Sequence, residues 1–401
     1  MIIFHAHTGT TLLNILNLKA NQFASEISDI YISNSARMPY GLIQFTRESG
    51  LFRNVIVINP CWQDISEQYN IHSKFGLLFC KALSLLHLQR HHSQAISKIM
   101  VDDRCDVLIT HGLWGKSLYF VNYFYHKNKS LRLHIVDEGI GTESTSFQIL
   151  TNPKRVELCK NRISRMIYDL IWLINSGHIF NSDIQQFMQC FTDYYLYNPR
   201  VSKLYHETSL TPHTLLPFDS NNKLTPLLSK LLDGIDNTEY IDRNVWILSD
   251  YDVLESHPYH LTFKRILEIT LASFSQDDVI LKGHPNLSLN DEYYSGSWPG
   301  LYLDNRKFQL EALYSQVNLN DKILITRVSS AVFYPKYMFN AEPYVILTYK
   351  ISPSGVDVGA MDKLVESLRG LYANKDRIYV PRSMDDFEQQ LRHISAELHD
   401  I

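Results

Sequence analysis

Short apolar runs, each closed by polar or turn residues, recur along this chain and are spaced by longer helix-like stretches. "MIIFHA" reads as a strand and "GTTLLNILNLKANQF" as a helix. "SDIYIS" and "RNVIVIN" follow as strands, then a long helical region over roughly 65–100. "CDVLITHG" and "LRLHIVDEG" are strands on either side of the helix-like "KSLYFVNYFYHKN". Runs this short and apolar fit strands buried on both faces, and their alternation with helices predicts an α/β fold with parallel sheets.

The rhythm loosens after "DYYLYNPR", where Pro, Asn, Ser and Thr accumulate, and a second α/β series then begins. Its strands are "NVWILSD", "DDVILKGHPN", "DKILITRVSS" and "EPYVILTY", with helices such as "HLTFKRILEITLASF" between them. A chain of 401 residues exceeds one ordinary core. The expected division is an N-terminal domain over 1–215, a linker over 216–243 and a C-terminal domain over 244–401.

Composition narrows the function classes. With 38 basic and 42 acidic residues, net charge is −4, which gives no reason to expect nucleic-acid binding. The five cysteines are scattered and none forms a Cys-x-x-Cys pair, so neither a disulfide framework nor a zinc knuckle is expected. A reducing cytoplasm fits that usage. No signal peptide is expected, because "MIIFHAHTGTTLL" lacks a basic start and a long apolar stretch, and no membrane-spanning helix, because the most apolar regions are short and broken by Lys81 and Asp169. The segment 154–165 carries five basic residues before an apolar run, which suits either an anionic membrane surface or an ordinary half-buried helix.

Ligands of open parallel sheets bind beyond the carboxyl ends of strands. Four such ends carry unusual chemistry: Asp137-Glu138-Gly139, Asp250-Tyr-Asp252, His284-Pro285 and Ser329-Ser330. A carboxylate in a closed cleft can act as a general base. Pro285 restricts His284 and so places its imidazole, with Lys282 and Gly283 just upstream. Serine hydroxyls and free N–H groups at a helix start suit a phosphate. Taken singly, each has an ordinary reading as a strand-end turn, a turn histidine or an N-cap. "HAHTGTTLL" lacks the nucleotide-binding glycine patterns, and His5 and His7 alone make a poor metal case.

Together and in this order the motifs resemble those of bacterial sialyltransferases of the GT-B type, in their lipooligosaccharide and capsular polysialic acid groups. The likeness rests on about seven residues. It implies two Rossmann-like domains facing each other across a cleft, and a CMP-linked nonulosonic acid as donor. It also implies inverting transfer to a hydroxyl of a cell-surface glycan, without a metal or other cofactor. Glu138 would take the acceptor proton, with Asp137 supporting its loop. His284 would stabilise or protonate the departing phosphate, and Lys282, Gly283, Pro285, Ser329 and Ser330 would line the donor side. Asp250 or Asp252 is the alternative base. Transfer would take place in the cytoplasm, with peripheral contact at the inner face of the membrane. Rival readings are a transferase using CMP-Kdo, CMP-pseudaminate or CDP-glycerol, and a non-catalytic glycan-binding or scaffold protein.

Overall fold

The computed structural model describes residues 1–33, 38–58, 105–113, 117–139, 180–250, 259–284, 289 and 291–399. Within these the chain forms two compact units, Met1–Leu216 and Pro217–Ile401. The helical region expected at 65–100, Gly141, the basic segment 154–165, Asp252 and Pro285 lie outside the described residues.

In the first unit the described strands are β1 (Ile2–Ala6), β2 (Ser28–Ser33), β3 (Asn54–Ile58), β4 (Val107–Thr110), β5 (Arg132–Val136), β6 (Phe191–Leu196) and β7 (Thr211–Thr214). They form one parallel sheet in the order β3-β2-β1-β4-β5-β6-β7. The order reverses between β1 and β4, which is where open sheets of this kind open a crevice. Helix α1 (Gly9–Asn21) starts at Thr8, whose hydroxyl accepts from the Thr11 N–H. It is buried on nearly every side, so its polar Asn14 and Asn17 must find partners inside. Asn14 donates to the Asp137 carbonyl at 3.1 Å, and Asn17 to the Leu216 carbonyl at 2.7 Å. The core between sheet and helices is built from Ile3, Leu108, Phe120, Phe124, Leu133 and Phe187 with their neighbours. Each such side chain contributes about 1.5–3 kcal/mol by leaving water.

The second unit carries β8 (Val245–Leu248), β9 (Val279–Lys282), β10 (Tyr302–Asp304), β11 (Ile323–Thr326), β12 (Tyr344–Leu347) and β13 (Ile378–Tyr379). Its described strands are also all parallel, in the order β10-β9-β8-β11-β12-β13, reversing between β8 and β11. The helices His260–Ser273 and Met384–His399 cover the sheet through Phe263, Ile266, Phe387 and Leu391.

The stretch 216–243, expected as the linker, holds helical turns at Thr225–Leu232 and Thr238–Asp242. Leu224, Leu228, Leu231, Leu232 and Tyr240 are buried there, with Tyr240 edge-on against Trp246 at 5.0 Å. The polar composition that suggested a linker belongs to the outward-facing positions between them. Among the described residues no helix is long and apolar enough to cross a membrane.

Candidate functional site

Two groups of strand-end residues assemble, one in each unit.

In the first, β5 runs out at Val136 and turns at once. Asp137 is buried, and its carboxylate accepts the Gly139 N–H at 2.8 Å, closing a tight turn. Gly139 sits at φ 136°, where a side chain would be strained. The Asp137 N–H also bonds the Tyr195 carbonyl of β6 at 3.0 Å. Asp137 thus holds the turn from three sides, and Glu138 is presented with its side chain 29% exposed. The two adjacent carboxylates have different environments and different work.

β1 and β4 bring two histidines to the same place. His7 follows β1, His111 follows β4, and their rings stack at 5.0 Å with 19° between planes. The His111 Nε2 lies 4.0 Å from the Glu138 carboxylate. His111 is 2% exposed, and neither ring nitrogen has a hydrogen-bond partner. Burial pushes its pKa down to about 4, so it is neutral at pH 7. His5, by contrast, is a satisfied core histidine that bonds Ser33, Thr110 and Ser117. His111 carried no signal in the sequence, where "ITHG" reads as a strand running into a turn.

In the second unit the ends of β8, β9 and β11 are joined by hydrogen bonds. The His284 N–H donates to the Ser249 hydroxyl at 2.9 Å, and Thr326 donates to the Asp250 carboxylate at 3.3 Å. The Ser329 N–H in turn donates to the Thr326 hydroxyl at 3.3 Å. His284, Ser249-Asp250 and Thr326–Ser329 therefore lie on one carboxyl edge, at the point where strand order reverses. The His284 side chain is half-buried there.

Ser329 and Ser330 were expected at a helix start. They open a single 3-10 turn, Ser330–Val332, with the Ser329 hydroxyl accepting the Ala331 N–H at 3.3 Å. A short α-helix follows at Tyr334–Phe339. Pro335 near its start has no N–H to bond back into the preceding turn, which accounts for the break.

Lys282 and Gly283, expected on the donor side, are both buried. The Lys282 ammonium is buried and bonds the carbonyls of Gly283, Asp304 and Arg306, with burial lowering its pKa to about 8. The Gly283 N–H is taken by the Asp304 carbonyl at 2.8 Å. Both residues shape the turn that carries His284. A lysine at a strand end reads as solvated in sequence, and only the packing of β9 on β10 shows otherwise.

Arg327 is the other residue that sequence reasoning missed. It is 1% exposed, its guanidinium donates to the Ser352 carbonyl at 3.1 Å and to that of Ser354, and it lies over the Tyr259 ring at 4.6 Å. With Asp250, Thr326 and Thr348 it lines a small cavity under the same edge.

No family model matches the chain, and no curated protein matches it. Among solved structures it is similar over its full length to CalG4, the calicheamicin glycosyltransferase, at a TM-score of 0.52 and 8% identity, covering 94% of that chain. Arabidopsis thaliana UGT89C1 complexed with UDP-L-rhamnose scores 0.52 at 10% identity, over 99% of this chain and 90% of that one. S. aureus MnaA in its UDP co-structure scores 0.51 at 10% identity, over 100% and 88%. At this identity the likeness is one of fold: α/β, of GT-B type, with two Rossmann-like domains.

Proposed function

We propose that this chain is an inverting glycosyltransferase that moves sialic acid, or a related nonulosonic acid, from a CMP-activated donor to a hydroxyl of a cell-surface glycan. The observation that carries the reading is the division of labour at the end of β5. Asp137 is buried and spent on the turn, while Glu138 is held outward with a partly exposed carboxylate. A partly exposed carboxylate of this kind suits proton removal from an acceptor hydroxyl. In this reading the second unit takes the donor. His284 and the hydroxyls of Ser329 and Ser330 lie at the edge where strand order reverses, the customary place for a nucleotide phosphate. Charge on the leaving phosphate is met by an imidazole and hydroxyl donors, so the reaction requires no metal. Lys282 adds a buried positive charge beneath the His284 turn. Asp250 is the alternative base, and its carboxylate already accepts from Thr326. Acceptors made at the inner face of the membrane fit the basic segment 154–165.

A second reading keeps the transfer and changes the donor to a UDP-sugar. It is favoured by fold neighbours seen with UDP or UDP-L-rhamnose, among them TcCGT1 in complex with UDP, at a TM-score of 0.50. One experiment separates them. The purified chain is incubated with CMP-, CDP- and UDP-linked sugars and a panel of glycan acceptors, with and without EDTA. Release of CMP that depends on an acceptor and survives EDTA is the expected result. Turnover of UDP-sugars alone moves the assignment to the second reading, and turnover of no donor with any acceptor removes both.

A further inference from the structure

The grouping of His7, His111 and Glu138 supports more than proton transfer. Three chemically different donors, two imidazoles and a carboxylate, come from the ends of β1, β4 and β5, and one atom of each lies within 4.8 Å of the others. An ion set among atoms at that spacing lies no more than about 2.8 Å from each, against about 2.0–2.2 Å in an occupied zinc site. Closing the difference takes a small movement of side chains, and Glu138 and His7 are partly exposed and able to make it.

His111 supplies the second observation. Its ring is buried, both nitrogens lack any hydrogen-bond partner, and Nε2 points toward the Glu138 carboxylate at 4.0 Å. Buried polar atoms are normally satisfied, and each exception calls for an explanation such as an ion. Among the described buried histidines of this unit His111 alone has both ring nitrogens without such a partner; the Nε2 of His134 makes no hydrogen bond either, but it faces a carboxylate. His5 is satisfied by three hydroxyls, and His134 and His213 both approach one carboxylate, that of Asp193, at 3.1 and 2.6 Å.

We propose that His7, His111 and Glu138 form a binding site for one divalent transition-metal ion of the zinc type. Two imidazole nitrogens and a carboxylate oxygen are the donor set that suits Zn²⁺, and the partly exposed side leaves its fourth position to water. Binding of the ion occupies the Glu138 carboxylate. On the reading of Glu138 as the base, which this consequence alone rests on, zinc switches transfer off and a chelator restores it.

The test uses the full-length chain, stripped with EDTA and exchanged into clean buffer. Titration with Zn²⁺ alone, followed by calorimetry, should show one ion per chain, and Co²⁺ should give visible d–d bands at the same stoichiometry. Loss of an outer partner already weakens a metal site about 10–100-fold, so loss of a ligand should cost at least about 100-fold. That loss is expected in His111→Ala, and also in His7→Gln and Glu138→Gln, which change less buried side chains and keep the test valid should His111→Ala not fold. His213→Gln, in the other histidine cluster, should bind as the parent does. Zinc affinity unchanged in folded His7→Gln and Glu138→Gln, or lost only in His213→Gln, overturns the site. Zinc that binds with the expected dependence while transfer continues at full rate keeps the site and removes Glu138 as the base.

Discussion

The Nε2 atom of His111 lies 4.0 Å from the carboxylate of Glu138, although the two residues follow different strands and one is buried while the other is partly exposed. The pairing joins β4 to β5 at their carboxyl ends, beside the reversal of strand order. It places a neutral ring against the carboxylate assigned to proton transfer.

Glu138→Gln should leave CMP affinity and thermal stability nearly unchanged and lower the rate of transfer by about two to four orders of magnitude, the range for a positioned general base. Initial rates at saturating donor and acceptor check this. Full activity in Glu138→Gln, with loss in Asp250→Asn, would move the base to the second unit.

Asp137 should behave in the opposite way. Asp137→Asn keeps an oxygen to accept the Gly139 N–H and should cost little stability. Asp137→Ala leaves that buried N–H without a partner and should cost about 1–3 kcal/mol in urea unfolding. Gly139→Ala should also destabilise, because φ 136° strains any side chain.

His284→Ala should depress both the rate and the affinity for CMP, because a group that contacts the phosphate does so in the ground state as well. Isothermal titration with CMP reads the second effect. Unaltered CMP binding in a folded variant would detach His284 from the donor.

Arg327→Ala removes a buried guanidinium from two carbonyls and from the face of Tyr259. The orphaned carbonyls and the space left behind should together cost about 3 kcal/mol. Hydrogen exchange should rise across 352–355. Arg327→Lys should recover part of the loss, since it keeps the charge without the two-pronged geometry.

Stability should fall on acidification through His111. Its pKa is about 4 in the fold against 6.5 for the free side chain, so the unfolded chain holds more protons between those values. The stabilising contribution is complete above about pH 6.5 and is lost as pH drops toward 4, by about 3 kcal/mol at most. Denaturation midpoints measured in EDTA for the parent and for His111→Gln should converge with falling pH. A constant difference between the two would show that His111 does not titrate this way.

The strand ends bearing Asp137-Glu138-Gly139, His284 and Ser329 were legible because a buried strand leaves a clear signature, a β-branched run cut off by polar residues and glycine. The parallel series was legible for the same reason. His111, Arg327 and the true setting of Lys282 were not. Each is a charged or polar residue at a strand end, a pattern that usually means solvent. Their burial depends on which strand lies beside them, and that neighbour is often distant in sequence, as β1 is from β4.

Local sequence by itself determined the alternation of strands and helices, the parallel α/β class and the places where chemistry could reside, because those depend on the periodicity and termination of single segments. The tertiary structure alone decided which strand ends share an edge and which side chain of the acidic pair is buried and which partly exposed. Strand order governs the first; the second follows from packing at the end of β5, where Tyr195 and Asn14 hold the Asp137 main chain and its carboxylate is buried on the Gly139 N–H. In this chain the bonds of Asp137 to Gly139 and Tyr195 make that choice and leave Glu138 as the outward partner.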